Sequence, residues 1–178
     1  VFHLGACSST TETDSNFLME NNYRYTKKLA QWTADRKIPM ILASSAATYG
    51  NGKLGYSDDP AMVPKYMPLN MYGMSKHLFD KWALRNGLYE ENLVGLKFFN
   101  VYGPHEDHKG SMRSVVCKAF YQILERGYVE LFKSYHPDYK DGQQLRDFVY
   151  VDDAVKVMLY FFEHREKHGL FNCGSGIA

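Results

Sequence analysis

The sequence predicts an α/β fold, a partial doubly wound parallel sheet, on two observations. Short apolar runs recur with longer helix-patterned segments between them, the order that a parallel sheet covered by helices requires. The distinctive residues, at 5–11, 44–50 and 100–112, follow three of those runs, where parallel α/β sheets bind ligands. Strands are expected at 1–6, 39–44, 93–99, 129–132 and 169–173, each short, apolar and flanked by turn or helix signals. Helices are expected at 14–36, 70–88, 114–126 and 152–163. In the first of these, Phe17, Leu18, Tyr25, Leu29 and Trp32 fall at mostly helical spacing and read as the face on the sheet. Segment 50–68, punctuated by glycine and proline, and the polar segment 133–145 read as surface loops.

A chain of 178 residues, 45% hydrophobic and 15% aromatic, suits one globular core. With 21 Lys and Arg against 20 Asp and Glu, the net charge of +1 gives no bulk attraction for nucleic acid or an acidic membrane. Tyr102, Tyr121 and Tyr128 interleave with apolar residues and read as core rather than as stacking platforms. Cys7, Cys117 and Cys173 lie far apart, with no CxxC spacing, so neither a disulfide framework nor a zinc site is signalled. A reducing cytoplasm fits them. His105 and His108, beside Glu106 and Asp107, lack a distant third ligand and read as solvated loop residues rather than metal ligands. Apolar stretches such as Val157 to Phe162 fall far short of the roughly 20 residues that span a bilayer. Val1 already lies in a strand pattern and the sequence stops at Gly174 to Ala178, so it reads as a piece of a longer chain. A sheet edge left open in such a piece is expected to pair, in a homo-oligomer or with further residues.

The chemistry concentrates in Ser45, Tyr72 and Lys76. Tyr and Lys four apart on a helix share a face. Tyrosine titrates near pH 10, so a general base at pH 7 needs a shift of about 3 units, and a nearby ammonium favours that. Ser45, at a strand end, is placed to hydrogen-bond the reacting oxygen. The Tyr-x-x-x-Lys spacing also occurs at Tyr23 with Lys27 and Tyr49 with Lys53, but only Tyr72 follows a serine-rich strand end on a predicted helix. From the pair alone, the reading of Tyr72 and Lys76 as a surface pair on an amphipathic helix is favoured.

Ala43 to Gly50 (ASSAATYG) followed by Tyr72 to Lys76 (YGMSK) resembles the catalytic core of the extended short-chain dehydrogenases that act on nucleotide sugars. Gly5 to Glu12 (GACSSTTE), Phe99 to Pro104 (FNVYGP) and His108 to Met112 (HKGSM) are similar to the ADP-heptose 6-epimerases of that family, while Arg146 to Asp153 and Phe171 to Gly176 recur in the family generally. The resemblance implies a partial NAD(P)-binding Rossmann-like domain over 1–178, with substrate-binding segments near 100–147. It implies an isomerase that inverts an ADP-heptose by transient oxidation and re-reduction, with NADP, or NAD, taking and returning the hydride. Ser45, Tyr72, Lys76 and a second acid/base, Lys109, would be catalytic. Gly5, Ala6, Cys7, Ser8, Asn21, Lys76, Val101 and Lys109 would lie at the cofactor. Asn100, Ser111, Lys118, Phe132 and Arg146 would contact the ADP-sugar, Arg146 through its diphosphate. On local sequence alone, Arg146 could instead pair with Asp147 or Asp152. Lys118 stands where the resembling enzymes have histidine, 132–135 lacks their acidic turn, and the glycine-rich cofactor unit that opens the family fold is not in this sequence. A 4-epimerase or dehydratase, or a non-catalytic dinucleotide-sensing domain, are the competing expectations.

Overall fold

The computed structural model describes residues 1–135 and 137–177; His136, inside the expected 133–145 loop, and Ala178 lie outside the described residues. In chain order the elements are β1 (Phe2–His3), α1 (Ser15–Leu18), a π-helical turn (Met19–Arg24), α2 (Tyr25–Asp35), β2 (Met40–Ser45), α3 (Met71–Arg85), β3 (Leu93–Phe98), β4 (Asn100–Tyr102), α4 (Val115–Arg126), β5 (Phe148–Tyr150), α5 (Val151–Glu163) and β6 (Gly169–Cys173). They fall into two compact units, residues 1–99 with 155–173, and residues 100–154 with 174–178.

The first unit is a four-stranded parallel sheet in the order β1-β2-β3-β6. Strand side chains alternate between faces. Met40 and Leu42 of β2, Leu93 of β3 and Leu170 of β6 pack with Ala30 of α2 and with Phe79 and Ala83 of α3. Ile41, Val94, Leu96 and Cys173 point the other way, against Val157, Met158 and Phe161 of α5. Helices on both faces of a parallel sheet make the doubly wound arrangement expected from sequence.

The helical stretch 15–35 departs from expectation. Of its expected core residues, Leu18 is buried and Leu29 packs at the core margin, but Phe17, Tyr25 and Trp32 are 46%, 57% and 46% exposed. The buried stripe is instead Leu18, Asn22, Thr26, Ala30 and Thr33. Its steps of four, four, four and three residues pass through the π turn at Met19–Arg24, which replaces i→i+4 bonds by i→i+5. This face is polar because it meets polar groups: Thr26 bonds His3, and Asn22 bonds the chain after β1 and Ser75 of α3. A search for apolar periodicity selects the wrong side of such a helix.

In the second unit, β4 and β5 pair in parallel, with Asn100 opposite Phe148 and Val101 opposite Val149. Ser114 caps α4 by accepting the Cys117 N–H at 3.0 Å, and Gly127 ends it in the left-handed conformation. The strand expected at 129–132 is absent: Glu130 N–H goes to the Gln122 side chain, the Phe132 carbonyl accepts from Gly142, and Leu131 and Phe132 are exposed. Apolar residues without a neighbouring ladder do not make a strand, and the pairing goes to β5 instead. Tyr128, read as core from sequence, is exposed as well.

Gly95 in β3 is a packing requirement. A Cβ there would lie 2.6 Å from the Tyr89 hydroxyl and 2.8 Å from Leu170 Cδ1. The Tyr89 hydroxyl donates to buried Asp80 at 3.0 Å, so it cannot retreat without breaking that bond. Gly95→Ala is expected to cost about 1–3 kcal/mol by overpacking, measurable as a lowered denaturant midpoint at unchanged slope.

Candidate active site

In the first unit β2 runs out at Ser45, whose hydroxyl accepts the Ala47 N–H at 3.1 Å and starts a 3-10 turn over Ala46–Tyr49. Asn70 caps α3, its side chain accepting from Gly73 N–H at 2.7 Å. A Cβ on Gly73 would stand 2.7 Å from the Ala47 carbonyl oxygen, so glycine here lets the start of α3 close onto the turn after Ser45. That approach brings the Tyr72 phenol near the Ser45 hydroxyl. One helical turn on, Lys76 is 5% exposed and donates to the Ala43 carbonyl of β2 at 2.8 Å.

Burial raises the Tyr72 pKa, and the nearby Ser45 hydroxyl works against that rise. The phenol therefore stands as a proton donor. Burial also pulls Lys76 down to about 8, with Asp80 opposing the fall. Lys76 is thus cationic at neutral pH, with an ammonium that has two hydrogens uncommitted among the described residues.

The two other Tyr-x-x-x-Lys pairs serve packing. Tyr49 is buried and donates to Asn172 at 2.6 Å, while Lys27 lies over the Trp82 ring. Of the three, the pair at Tyr72 and Lys76 lies near a strand-end serine.

The chain after β1 is fixed by a residue that sequence reading missed. Asn22, fully buried, accepts the Cys7 N–H at 2.8 Å and donates to the Cys7 carbonyl at 2.9 Å and to the Ser75 hydroxyl at 3.0 Å. Asn21, expected near the cofactor, is exposed and donates to the Phe17 carbonyl. Only burial separates two adjacent asparagines, and the misplaced apolar stripe hid it. Gly5 and Ser8 are exposed, and a Cβ on Gly5 would meet no described atom within 4 Å. Open backbone beyond a strand end, with the Lys76 ammonium carrying uncommitted donors, fits the hydroxyls and phosphates of a dinucleotide.

The second unit carries the remaining expected residues. Lys109 lies in a 3-10 turn, Asp107–Met112, interrupted at Gly110, where φ is 53°. Buried Glu106 organises this loop, accepting from Gly103 N–H at 3.0 Å, Ser114 N–H at 2.6 Å and the Ser114 hydroxyl at 2.8 Å. Burial alone would raise its pKa, but those hydrogen bonds, with Lys109 nearby, hold it below the usual carboxylate range. Lys109 Nζ stands 4.0 Å from Glu106 with its side chain 43% exposed. Asn100 is exposed and donates to the Asp147 carbonyl at 2.8 Å. Val101, in β4, and Lys118, on α4, are half-buried, and Ser111 and Phe132 are exposed. Arg146 is exposed and donates to the Leu145 carbonyl at 2.7 Å, and among the described residues it forms no ion pair with Asp147 or Asp152. The Asp147 carboxylate instead receives Ser175 and Gly176 N–H groups. No group of three His, Cys, Asp or Glu among the described residues is placed to hold a metal. No described helix is long and apolar enough to cross a membrane.

The chain is 55% identical over 178 residues to the ADP-L-glycero-D-manno-heptose-6-epimerase of Nitratidesulfovibrio vulgaris (strain DP4), covering all of this chain and 55% of that protein. It is 54% identical over 180 residues to the enzyme of the same name from Fusobacterium nucleatum, covering 54% of it. The crystal structure of the Helicobacter pylori ADP-L-glycero-D-manno-heptose-6-epimerase superposes with a TM-score of 0.82 at 33% identity, over 97% of this chain and 51% of that one. The chain thus spans about half the length of the curated relatives it matches. With residues 1–174 matching the family as a whole, the chain belongs to the NAD dependent epimerase/dehydratase family.

Proposed function

We propose that the protein carrying this chain is a cytoplasmic, NADP-dependent epimerase that converts ADP-D-glycero-D-manno-heptose to ADP-L-glycero-D-manno-heptose for the lipopolysaccharide core. The observation that carries the reading is the close approach of the start of α3, with Tyr72, to the strand end at Ser45, one helical turn from the buried Lys76 ammonium. The shared name of its relatives supplies the substrate.

When bound, the nicotinamide accepts a hydride from the substrate carbinol carbon and later returns it. Ser45 orients the substrate oxygen, and Tyr72 moves the proton on that oxygen. Lys76 binds hydroxyls and favours the phenolate against the burial that opposes it. Inversion requires hydride return to the other face of the transient ketone, which calls for a second proton-transfer group. Lys109 is that group in this reading, and the carboxylate of Glu106 steadies its loop. Asn100, Ser111, Lys118, Phe132 and Arg146 are proposed to contact the nucleotide sugar.

The test is an assay of the purified full-length protein with ADP-D-glycero-D-manno-heptose and catalytic NADP⁺, followed by NMR of the carbon bearing the exocyclic secondary alcohol. Inversion without net accumulation of NADPH is expected. Turnover confined to a 4-position epimer of another nucleotide sugar would replace this reading.

A further inference from the structure

Behind Ser45, Tyr72 and Lys76 lies a set of buried polar groups that the proposed chemistry does not use. Asp80 and Lys97 are wholly buried and paired at 2.7 Å. Asp80 also accepts from the Ser44 hydroxyl, at 2.9 and 3.2 Å to its two oxygens, and from Tyr89 at 3.0 Å. Lys97 donates as well to the Thr48 hydroxyl at 2.7 Å, and Thr48 donates onward to the Ser45 carbonyl at 2.9 Å. Three consecutive residues at the end of β2 are thereby tied down: Ala43 to Lys76, Ser44 to Asp80, and Ser45 through Thr48 to Lys97.

Stability does not account for this pair. Taking two ions out of water costs several kcal/mol each, and a well-packed apolar pair of the same volume often serves stability as well or better. What a satisfied buried network adds is a fixed geometry.

We infer that the Asp80–Lys97 pair is a positioning device, fixing the strand end that carries Ser45 and holding an anionic charge one helical turn behind the Lys76 ammonium. Both roles rest on the acid/base function proposed for Ser45, Tyr72 and Lys76. Around Lys76 the titratable groups are His3 on β1, Cys7 after β1, and Tyr72 and Asp80 on α3. Asp80 is the carboxylate among them, and it acts on Lys76 from the next turn of α3. Neutralising Asp80 therefore withdraws the charge that offsets the burial of Lys76.

The experiment compares the full-length protein with its Asp80→Asn/Lys97→Met variant, in which neither ion is left without its partner. Lys76 titration is followed by NMR of labelled lysines, assigned with Lys76→Met, and kcat and KM are measured across pH. The double variant is expected to fold, with Lys76 titrating lower, because Asp80 and not Lys97 is the charge that acts on it, and with the alkaline limb of kcat moving the same way. Its kcat falls on the order of 10- to 100-fold from misplacement of Ser45, with KM little changed. Thr48→Val, which cuts the link to Ser45 while sparing the ion pair, is expected to lower kcat without moving the Lys76 titration. A folded double variant whose Lys76 titration matches the unsubstituted protein overturns the electrostatic role, and an unaltered kcat in Thr48→Val overturns the positioning of Ser45. Should the unsubstituted protein fail to invert any nucleotide sugar, the proposed function fails instead, while the Lys76 titration still reports on Asp80.

Discussion

Tyr72→Phe is expected to lower kcat for inversion by about 10²- to 10⁴-fold, the usual worth of a positioned proton transfer, with little change in stability. Phenylalanine keeps the ring that packs at the start of α3 and removes only the hydroxyl that lies near Ser45. A second signature follows from Lys76. Its pKa is lowered to about 8, so the ammonium is present below that pH and lost as pH rises through it. Activity that depends on the cation therefore falls on the alkaline side of about pH 8. In Tyr72→Phe the residual rate should lose that limb, because Lys76 no longer has a phenol to assist. Steady-state kinetics across pH on both proteins decide it. A Tyr72→Phe variant with kcat within a few-fold of wild type would remove Tyr72 from the chemistry and reopen the non-catalytic reading.

Much of the fold could be read from the sequence because a parallel sheet writes itself in apolar runs: Met40–Ser45, Leu93–Phe98 and Gly169–Cys173 lie within a residue of their expected positions. Ser45, Tyr72 and Lys76 were legible because a strand-end serine and a helical Tyr-x-x-x-Lys step are local patterns. Asn22, Asp80 and Lys97 were not. Each sits where apolar patterning expects a hydrophobic residue, and what makes them tolerable is a set of partners 9 to 53 residues away in the chain. The same blindness put Phe17, Tyr25 and Trp32 in the core. The strand at 129–132 failed for a related reason: a ladder needs a neighbour, and the neighbour of β4 is the less conspicuous Phe148–Tyr150.

Lys109→Ala separates the proposed epimerase from a 4-epimerase or dehydratase, whose chemistry does not need this lysine. Its side chain is 43% exposed and only loosely paired, at 4.0 Å, with Glu106. Glu106 is held independently by Gly103 and Ser114, so removing the ammonium leaves the loop anchored. Folding is accordingly expected to change by less than about 0.5 kcal/mol, while kcat for inversion falls about 10²- to 10⁴-fold. The loss should be lopsided. Tyr72 still serves the epimer it faces, so that epimer continues to be oxidised, and the block appears at proton transfer on the opposite face of the ketone. Rapid mixing with each ADP-heptose epimer in turn, followed by the absorbance of reduced nicotinamide, should show a burst with one and none with the other. Equal bursts, or inversion at the wild-type rate, would return Lys109 to the solvated loop lysine that its exposure alone suggests and would leave the second proton-transfer group to be found elsewhere.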